Sequence, residues 1–134
     1  MFSFFGLFSD PTTDLQRAIT QTWPEVSVAK IAHPISALAV RFGDDRYAPE
    51  DEGLPKSVHR QVSDLSVHFL GVRFMLLRTE CWGGICGNWG AVILDGEQVF
   101  RAEGKNALRR LIGYWGVDIG DKEIFEPLRR DFPW

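Results

Sequence analysis

The sequence has few of the residues that most often carry chemistry, with two cysteines and three histidines among 134 residues. It also lacks an excess of positive charge, because 15 basic side chains are opposed by 18 acidic ones. Proteins that bind nucleic acid need clustered lysine and arginine to release counterions from the phosphates. We therefore expect no nucleic acid partner.

Long hydrophobic runs are also absent. The run 67–77 is interrupted by His68 and Arg73 and is too short to span a bilayer. The opening residues, MFSFFGLF, have no basic region and are followed at once by a polar segment, unlike a signal peptide. The predicted location is the cytoplasm, away from the membrane, where cysteines are expected to be reduced.

What is present is an ordinary globular composition, with 45% hydrophobic and 25% charged residues, in a length that suits one domain over residues 1–134. Five tryptophans and ten phenylalanines can supply both a core and an interaction surface. Residues 1–9 form an apolar N-terminal segment, which we expect to pack either on the body of the protein or between two copies in a homodimer. Its phenylalanines are Phe2, Phe4, Phe5 and Phe8.

Hydrophobic periodicity predicts three helices and about five strands. Asp10 is placed to cap a first helix over 11–22, which ends before Trp23-Pro24. Apolar residues at helical spacing predict a second helix over 56–71 and a third over 104–116. The order α-ββ-α-βββ-α contains too few βαβ units for a parallel sheet. The predicted fold class is therefore α+β, an antiparallel sheet with helices packed on it.

The segment 43–55, GDDRYAPEDEGLP, contains two prolines, two glycines and five acids against one arginine, which predicts a solvated loop. Its negative charge would steer and hold a basic partner. The alternative is that the charge only keeps the protein soluble. The acidic side chains that we assign to partner binding are Asp44, Asp45, Glu50, Asp51 and Glu52.

The chain is organised around residues 72–102, where the glycine-rich segment TECWGGICGNWG joins two apolar runs. Asp95-Gly96 follows and predicts a tight hairpin turn, because a type I′ turn requires positive φ at both central residues. The glycine spacing matches neither common phosphate-binding motif, and a strand rather than a helix follows it. We therefore expect these glycines to serve tight turns and predict no cofactor.

Cys81 and Cys86 lie in this segment and admit three interpretations: a nucleophile, a disulfide or half of a metal site. Their spacing is not the CxxC of redox motifs, and the histidines are not paired at zinc-ligand spacing. We expect thiols packed in a turn, with no catalytic role and no metal. Trp82 and Trp89 flank the same glycines and are assigned to partner binding; if buried, they would instead close the end of the sheet.

The stretch 78–97, RTECWGGICGNWGAVILDGE, resembles a pattern in small bacterial proteins, in which a strand ending in Thr, an acid and an aromatic residue runs into Gly-Gly and a second strand. Over about residues 72–126 the chain is similar to immunity proteins, which are encoded beside secreted or contact-delivered toxins. The resemblance implies an antitoxin role. The cysteines at 81 and 86 depart from the pattern.

The leading hypothesis is a non-catalytic, cytoplasmic immunity protein that binds and occludes a cognate toxin. Acidic side chains would meet a basic groove of the toxin, and tryptophans would anchor the interface. The alternative is a small cysteine-dependent enzyme that uses the Cys81/Cys86 turn, which requires a reactive thiolate.

Overall fold

The computed structural model describes residues 2–43, 54–122, 124–129 and 132–134. In this part of the chain six strands form one antiparallel sheet, and three α-helices pack on it. The α+β class is confirmed, with one strand more than the five expected. The elements, in chain order, are β1 (Phe2–Ser9), α1 (Thr13–Thr22), β2 (Ser27–Ile31), β3 (Ala37–Arg41), α2 (Lys56–Val67), β4 (Phe74–Trp82), β5 (Ile85–Leu94), β6 (Glu97–Glu103), α3 (Ala107–Gly113) and a short 3-10 helix (Glu126–Leu128).

The additional strand is β1, which is the apolar N-terminal segment. The sheet order is β2-β3-β1-β4-β5-β6, so β1 lies in the interior of the sheet between β3 and β4. Phe4, Phe5 and Phe8 are buried in the core of their own chain. The segment therefore packs on the body of the protein. A homodimer through this segment stays a prediction, and the half-buried Phe2 is the phenylalanine left for it.

Each face of the sheet carries its own hydrophobic core, because successive side chains of a strand point to opposite faces. α1 and α2 cover one face, which we call the α1/α2 face. α3 and the C-terminal residues cover the other, which we call the α3 face. Leu76 of β4 belongs to the core on the α1/α2 face and Leu77 to the core on the α3 face. Strands buried on both sides in this way are continuously apolar in sequence.

Asp10 does not cap α1, contrary to the prediction. The helix begins at Thr13 with Thr12 as its N-cap. The Asp10 carboxylate instead accepts hydrogen bonds from Arg73 Nε at 2.9 Å, from Arg73 Nη2 at 2.8 Å and from Trp115 Nε1 at 2.9 Å. The Arg73 guanidinium also lies over the Trp115 ring, 4.8 Å from its centre. Asp10 thereby ties the end of β1 to the residue before β4 and to the chain after α3.

The predicted turn at Asp95-Gly96 is confirmed, since these residues have φ values of 52° and 85° and connect β5 to β6. The second and third helices are present but shorter than predicted, because α2 ends at Val67 and α3 at Gly113. None of the helices in the described residues has the length and apolar character needed to cross a membrane.

Candidate functional site

β4 and β5 form a long hairpin whose turn lies in the glycine-rich segment. Trp82 pairs with Ile85, so the turn consists of Gly83 and Gly84. Both glycines have positive φ, 54° and 85°, as a type I′ turn requires. Residues with a Cβ adopt this conformation at a cost, so these glycines serve the geometry of the turn.

Cys81 and Cys86 form a disulfide across the base of this turn. They are directly opposite each other in the ladder, with Cα atoms 4.0 Å apart. Of the two kinds of opposed pair in an antiparallel ladder, the one that exchanges no backbone hydrogen bonds is the closer, with Cα atoms about 4.5 Å apart. The expectation of two reduced thiols is therefore wrong for this structure, and of the three alternatives the disulfide is the one observed. A positional signal predicts it: once Gly83-Gly84 is taken as a two-residue turn, residues 81 and 86 become cross-strand partners.

The tip of the hairpin exposes two large apolar side chains next to each other. Trp82 is 51% exposed and Ile85 is 73% exposed. Because they are directly paired, both side chains project from the same face of the sheet. Trp82 lies six positions after Leu76 on β4, so that face is the α1/α2 face. Trp82, which the sequence assigns to partner binding, is thus about half exposed on this face. Ile85 is not predicted from the sequence, because a single aliphatic residue after Gly-Gly carries no signal of its own.

Trp89 lies on the same face, opposite Arg78, and is half-buried. The Arg78 guanidinium carbon is 5.8 Å from the centre of the Trp89 ring, and Arg78 pairs with Glu80 at 2.8 Å. A Cβ at Gly87 would lie 3.1 Å from a ring carbon of Trp89, so the missing side chain leaves room for the indole. Trp82 and Trp89 therefore share a face, separated by about 13 Å along the strands at roughly 3.3 Å per residue.

On the opposite face, the α3 face, a buried hydrogen bond between two polar side chains connects the two strands of the hairpin. Thr79 Oγ1 donates a hydrogen bond to Asn88 Oδ1 at 2.6 Å, and both residues are buried. The Asn88 carbonyl also accepts a hydrogen bond from the Gly104 N–H at 3.1 Å. A slip of one residue between β4 and β5 would break the side-chain bond and turn Asn88 to the other face. The register below the tip is therefore strongly specified.

Other reactive groups are dispersed in the described part of the chain. No three side chains of His, Cys, Asp or Glu are grouped there so that they could hold a metal ion. His59 forms a surface hydrogen bond with Gln98 at 2.9 Å. The acidic residues assigned to partner binding lie outside the described residues, so their contribution stays a prediction: Asp44, Asp45, Glu50, Asp51 and Glu52.

Two cavities in the described part of the chain have charged linings. One of about 270 Å³ lies between Asn88 and the start of α3, and its lining includes Lys105 and Lys122. Another of about 430 Å³ lies between α2 and β6, and its lining includes Arg60 and Arg101. Small-molecule sites are as a rule lined mainly by apolar side chains with a few polar groups. The hairpin tip is therefore a better candidate for a binding site than these cavities.

Neither a family model, nor a curated protein sequence, nor a solved structure matches this chain. The likeness of residues 72–126 to immunity proteins therefore stays an expectation, and the site is interpreted from its own geometry.

Proposed function

We propose that this protein is a non-catalytic binding protein that holds a partner protein on the tip of the β4–β5 hairpin, and more specifically an immunity protein that occludes a cognate bacterial toxin. The observation that carries the proposal is the adjacent exposure of Trp82 and Ile85 on a disulfide-closed turn. The resemblance of residues 72–126 to immunity proteins supports its more specific form.

The tip offers enough apolar area to anchor an interface. A tryptophan buries about 150–250 Å² when it is fully covered. Because Trp82 is about half exposed, covering the rest of its surface contributes about 2–3 kcal/mol at roughly 25 cal/mol per Å². Tryptophan is among the residues most enriched at the energetic centres of interfaces. Ile85 extends the same apolar patch.

The base of the hairpin lowers the cost of binding. The two-residue turn, the disulfide and the buried Thr79–Asn88 bond each restrict the conformations that the tip can adopt. A surface that is ordered before the partner arrives loses less entropy when it binds. The half-buried Trp89 would contribute its exposed edge at the border of the interface.

The second part of the proposal comes from the sequence of the acidic segment 43–55. Five carboxylates against one arginine would complement a basic groove on the toxin. Complementary charge accelerates association and selects the partner more than it adds affinity. In this proposal the acidic segment attracts the toxin and the apolar tip holds it.

The cysteine-dependent enzyme has less support. A nucleophilic cysteine acts as a thiolate, whereas each of the two sulphurs is here bonded to the other. No observation in the described residues favours this alternative. Stoichiometric alkylation of native protein that has seen no reductant would favour it over the binding role.

The test uses the purified protein and the product of the neighbouring gene. We expect calorimetry to detect a stoichiometric complex, and we expect cells that produce both proteins to survive the toxicity of the partner. If the two proteins neither bind nor neutralise each other, the immunity function is wrong.

A further inference from the structure

The last three residue pairs of the β4–β5 hairpin differ from the rest of the ladder. They are Glu80–Gly87, Cys81–Cys86 and Trp82–Ile85, and none of these six residues is fully buried. The next pair, Thr79–Asn88, is buried on the α3 face. The three pairs beyond Thr79–Asn88 thus contribute none of the core side chains of the described residues, and the disulfide is a covalent link between the two strands there.

The two strands of the tip are also held unequally. On the β4 side, Cys81 lies between two neighbouring strands, because it pairs with Phe2 of β1 as well as with Cys86. On the β5 side, the described ladder with β6 begins at the pair Trp89–Glu103. Residues 85–87 thus have β4 as their one neighbour in the described ladder. The β5 side, which carries Ile85, depends most on the disulfide.

The composition of the tip increases this dependence. Gly83, Gly84 and Gly87 are three of the six residues from Trp82 to Gly87. Glycine loses more conformational freedom on ordering than any other residue. Without the disulfide, the segment loses the covalent link between its two strands, and backbone hydrogen bonds near a solvent-exposed turn open easily.

We propose that reduction of the Cys81–Cys86 disulfide weakens partner binding at the hairpin tip. The inference rests on the proposed function, since it concerns the regulation of that same site. The reduced tip would present Trp82 on an anchored strand but Ile85 on a mobile one. Binding would then have to order the β5 side, which weakens affinity by about tenfold.

The switching reaction is a thiol–disulfide exchange with an external dithiol. A thiolate of the dithiol attacks one sulphur of the pair, forms a mixed disulfide and releases the other sulphur, which takes up a proton. The second thiol of the reductant then attacks the mixed disulfide. Two electrons and two protons pass to Cys81 and Cys86, which become thiols, and the dithiol leaves as its own cyclic disulfide. Both cysteines are half-buried, so a small or protein dithiol can approach from the exposed turn.

Reduction is expected to leave the rest of the fold intact. Neither cysteine belongs to the two hydrophobic cores, and the loop that the disulfide closes has a sequence separation of 5. The entropy that a disulfide removes from the unfolded chain is smallest for such short loops. The switch would therefore act on the tip and leave the sheet below it in place.

The experiment compares the full chain in its oxidised form, after dithiothreitol treatment, and as the double variant Cys81→Ser/Cys86→Ser. Intact mass confirms the gain of two hydrogens on reduction. Amide hydrogen exchange reports order at residues 81–87 and, as an internal reference, at Leu76 and Ala91 of the core. Calorimetry with the product of the neighbouring gene reports affinity, and the double variant controls for effects of the reductant on the partner.

We expect reduction to accelerate exchange at the tip and leave Leu76 and Ala91 unchanged. Affinity should fall about tenfold, and the double variant should match the reduced protein with or without dithiothreitol. Equal affinities of the oxidised and reduced proteins would overturn the redox switch while leaving the binding function in place. Equal exchange at the tip would overturn the ordering role of the disulfide. If neither form binds, the proposed function fails as well.

Discussion

At the scale of single residues, Asp10 joins three parts of the chain. Burial of this carboxyl group would raise its pKa, but the hydrogen bonds from Arg73 and Trp115 outweigh burial, so the pKa lies below its ordinary value. A carboxyl group whose pKa is lowered by folding stabilises the fold above its unfolded-state pKa of about 3.9. That contribution is lost as the pH falls through the folded-state pKa.

Replacing Asp10 with asparagine should therefore destabilise the protein in a pH-dependent way. At pH 7 we expect Asp10→Asn to lower the free energy of unfolding by about 1–3 kcal/mol, because hydrogen bonds to a charged acceptor are lost. Below about pH 4 the difference from the wild type should shrink, because the wild-type carboxylate becomes protonated. Urea unfolding over this pH range measures both effects.

A matched control for this prediction is Asp121→Asn. The Asp121 side chain is 98% exposed and lies 3.9 Å from Arg109, and exposed ion pairs contribute little. A difference between wild type and Asp10→Asn that stays constant down to the acid limit would contradict the assigned role of the charge.

At the scale of secondary-structure elements, α3 packs on β5 at Gly90. A Cβ at this position would collide with the side chain of Leu111 and lie 3.0 Å from the carbonyl oxygen of Leu76. Leu111 is fully buried and cannot move away at low cost. The absence of a side chain at Gly90 therefore sets the distance between α3 and the sheet.

We expect Gly90→Ala to lower the free energy of unfolding by about 1–3 kcal/mol, the usual cost of an overpacked core. Gly113→Ala is the matched control, because a Cβ at the last residue of α3 meets nothing within 4 Å. That change should be neutral or stabilise by up to about 1 kcal/mol, since alanine restricts the unfolded chain. Chemical denaturation measures the free energy of unfolding of both variants. A similar destabilisation by both would argue against close packing at Gly90.

The elements that the sequence predicts well are those with local signals. The Asp95-Gly96 turn follows from the φ values that such a turn demands, and the stripe of Val58, Val62 and Leu65 follows from one amphipathic face of α2. β1 lacks such a signal. It is apolar on both faces and lies at the start of the chain, so nothing local distinguishes an interior strand from a segment packed on the surface.

The candidate site also combines features that have a local sequence signal with features that depend on long-range pairing. The assignment of Trp82 to partner binding rests on its residue type and its position beside a glycine turn, both of which are visible in the sequence. The disulfide and the pairing of Trp82 with Ile85 depend on register, which is fixed by the two-residue turn and by the buried Thr79–Asn88 bond. The local sequence places Asp10 at a helix cap, because its partners in the fold, Arg73 and Trp115, are distant in sequence and leave no local signal.

At the scale of the whole molecule, both faces of the sheet are occupied by packed cores, and the exposed apolar tip is formed by the turn between β4 and β5. A disulfide is typical of oxidising compartments, whereas the location expected from the sequence is the cytoplasm, where cysteines are reduced, so the location stays a prediction. A redox-controlled tip would link the disulfide to the location, because the redox conditions of the compartment would determine whether Cys81 and Cys86 are oxidised or reduced.

The charge of the molecule leads to a kinetic prediction. Reversing the acidic residues of segment 43–55 to lysine should slow association with a basic toxin and weaken the dependence of its rate on salt. Stopped-flow mixing over a range of salt concentrations measures both. Rates that match the wild type would place the electrostatic contact elsewhere on the surface.

The most direct measurement is the affinity of two matched alanine variants for the product of the neighbouring gene. Ile85 at the tip and Leu70 after α2 are both 73% exposed, so Ile85→Ala and Leu70→Ala remove similar exposed apolar side chains from different places. If the tip is the binding site, Ile85→Ala weakens binding by about tenfold, as loss of an interface anchor does, and Leu70→Ala leaves binding unchanged. Equal affinities of the two variants would contradict a binding site at the hairpin tip.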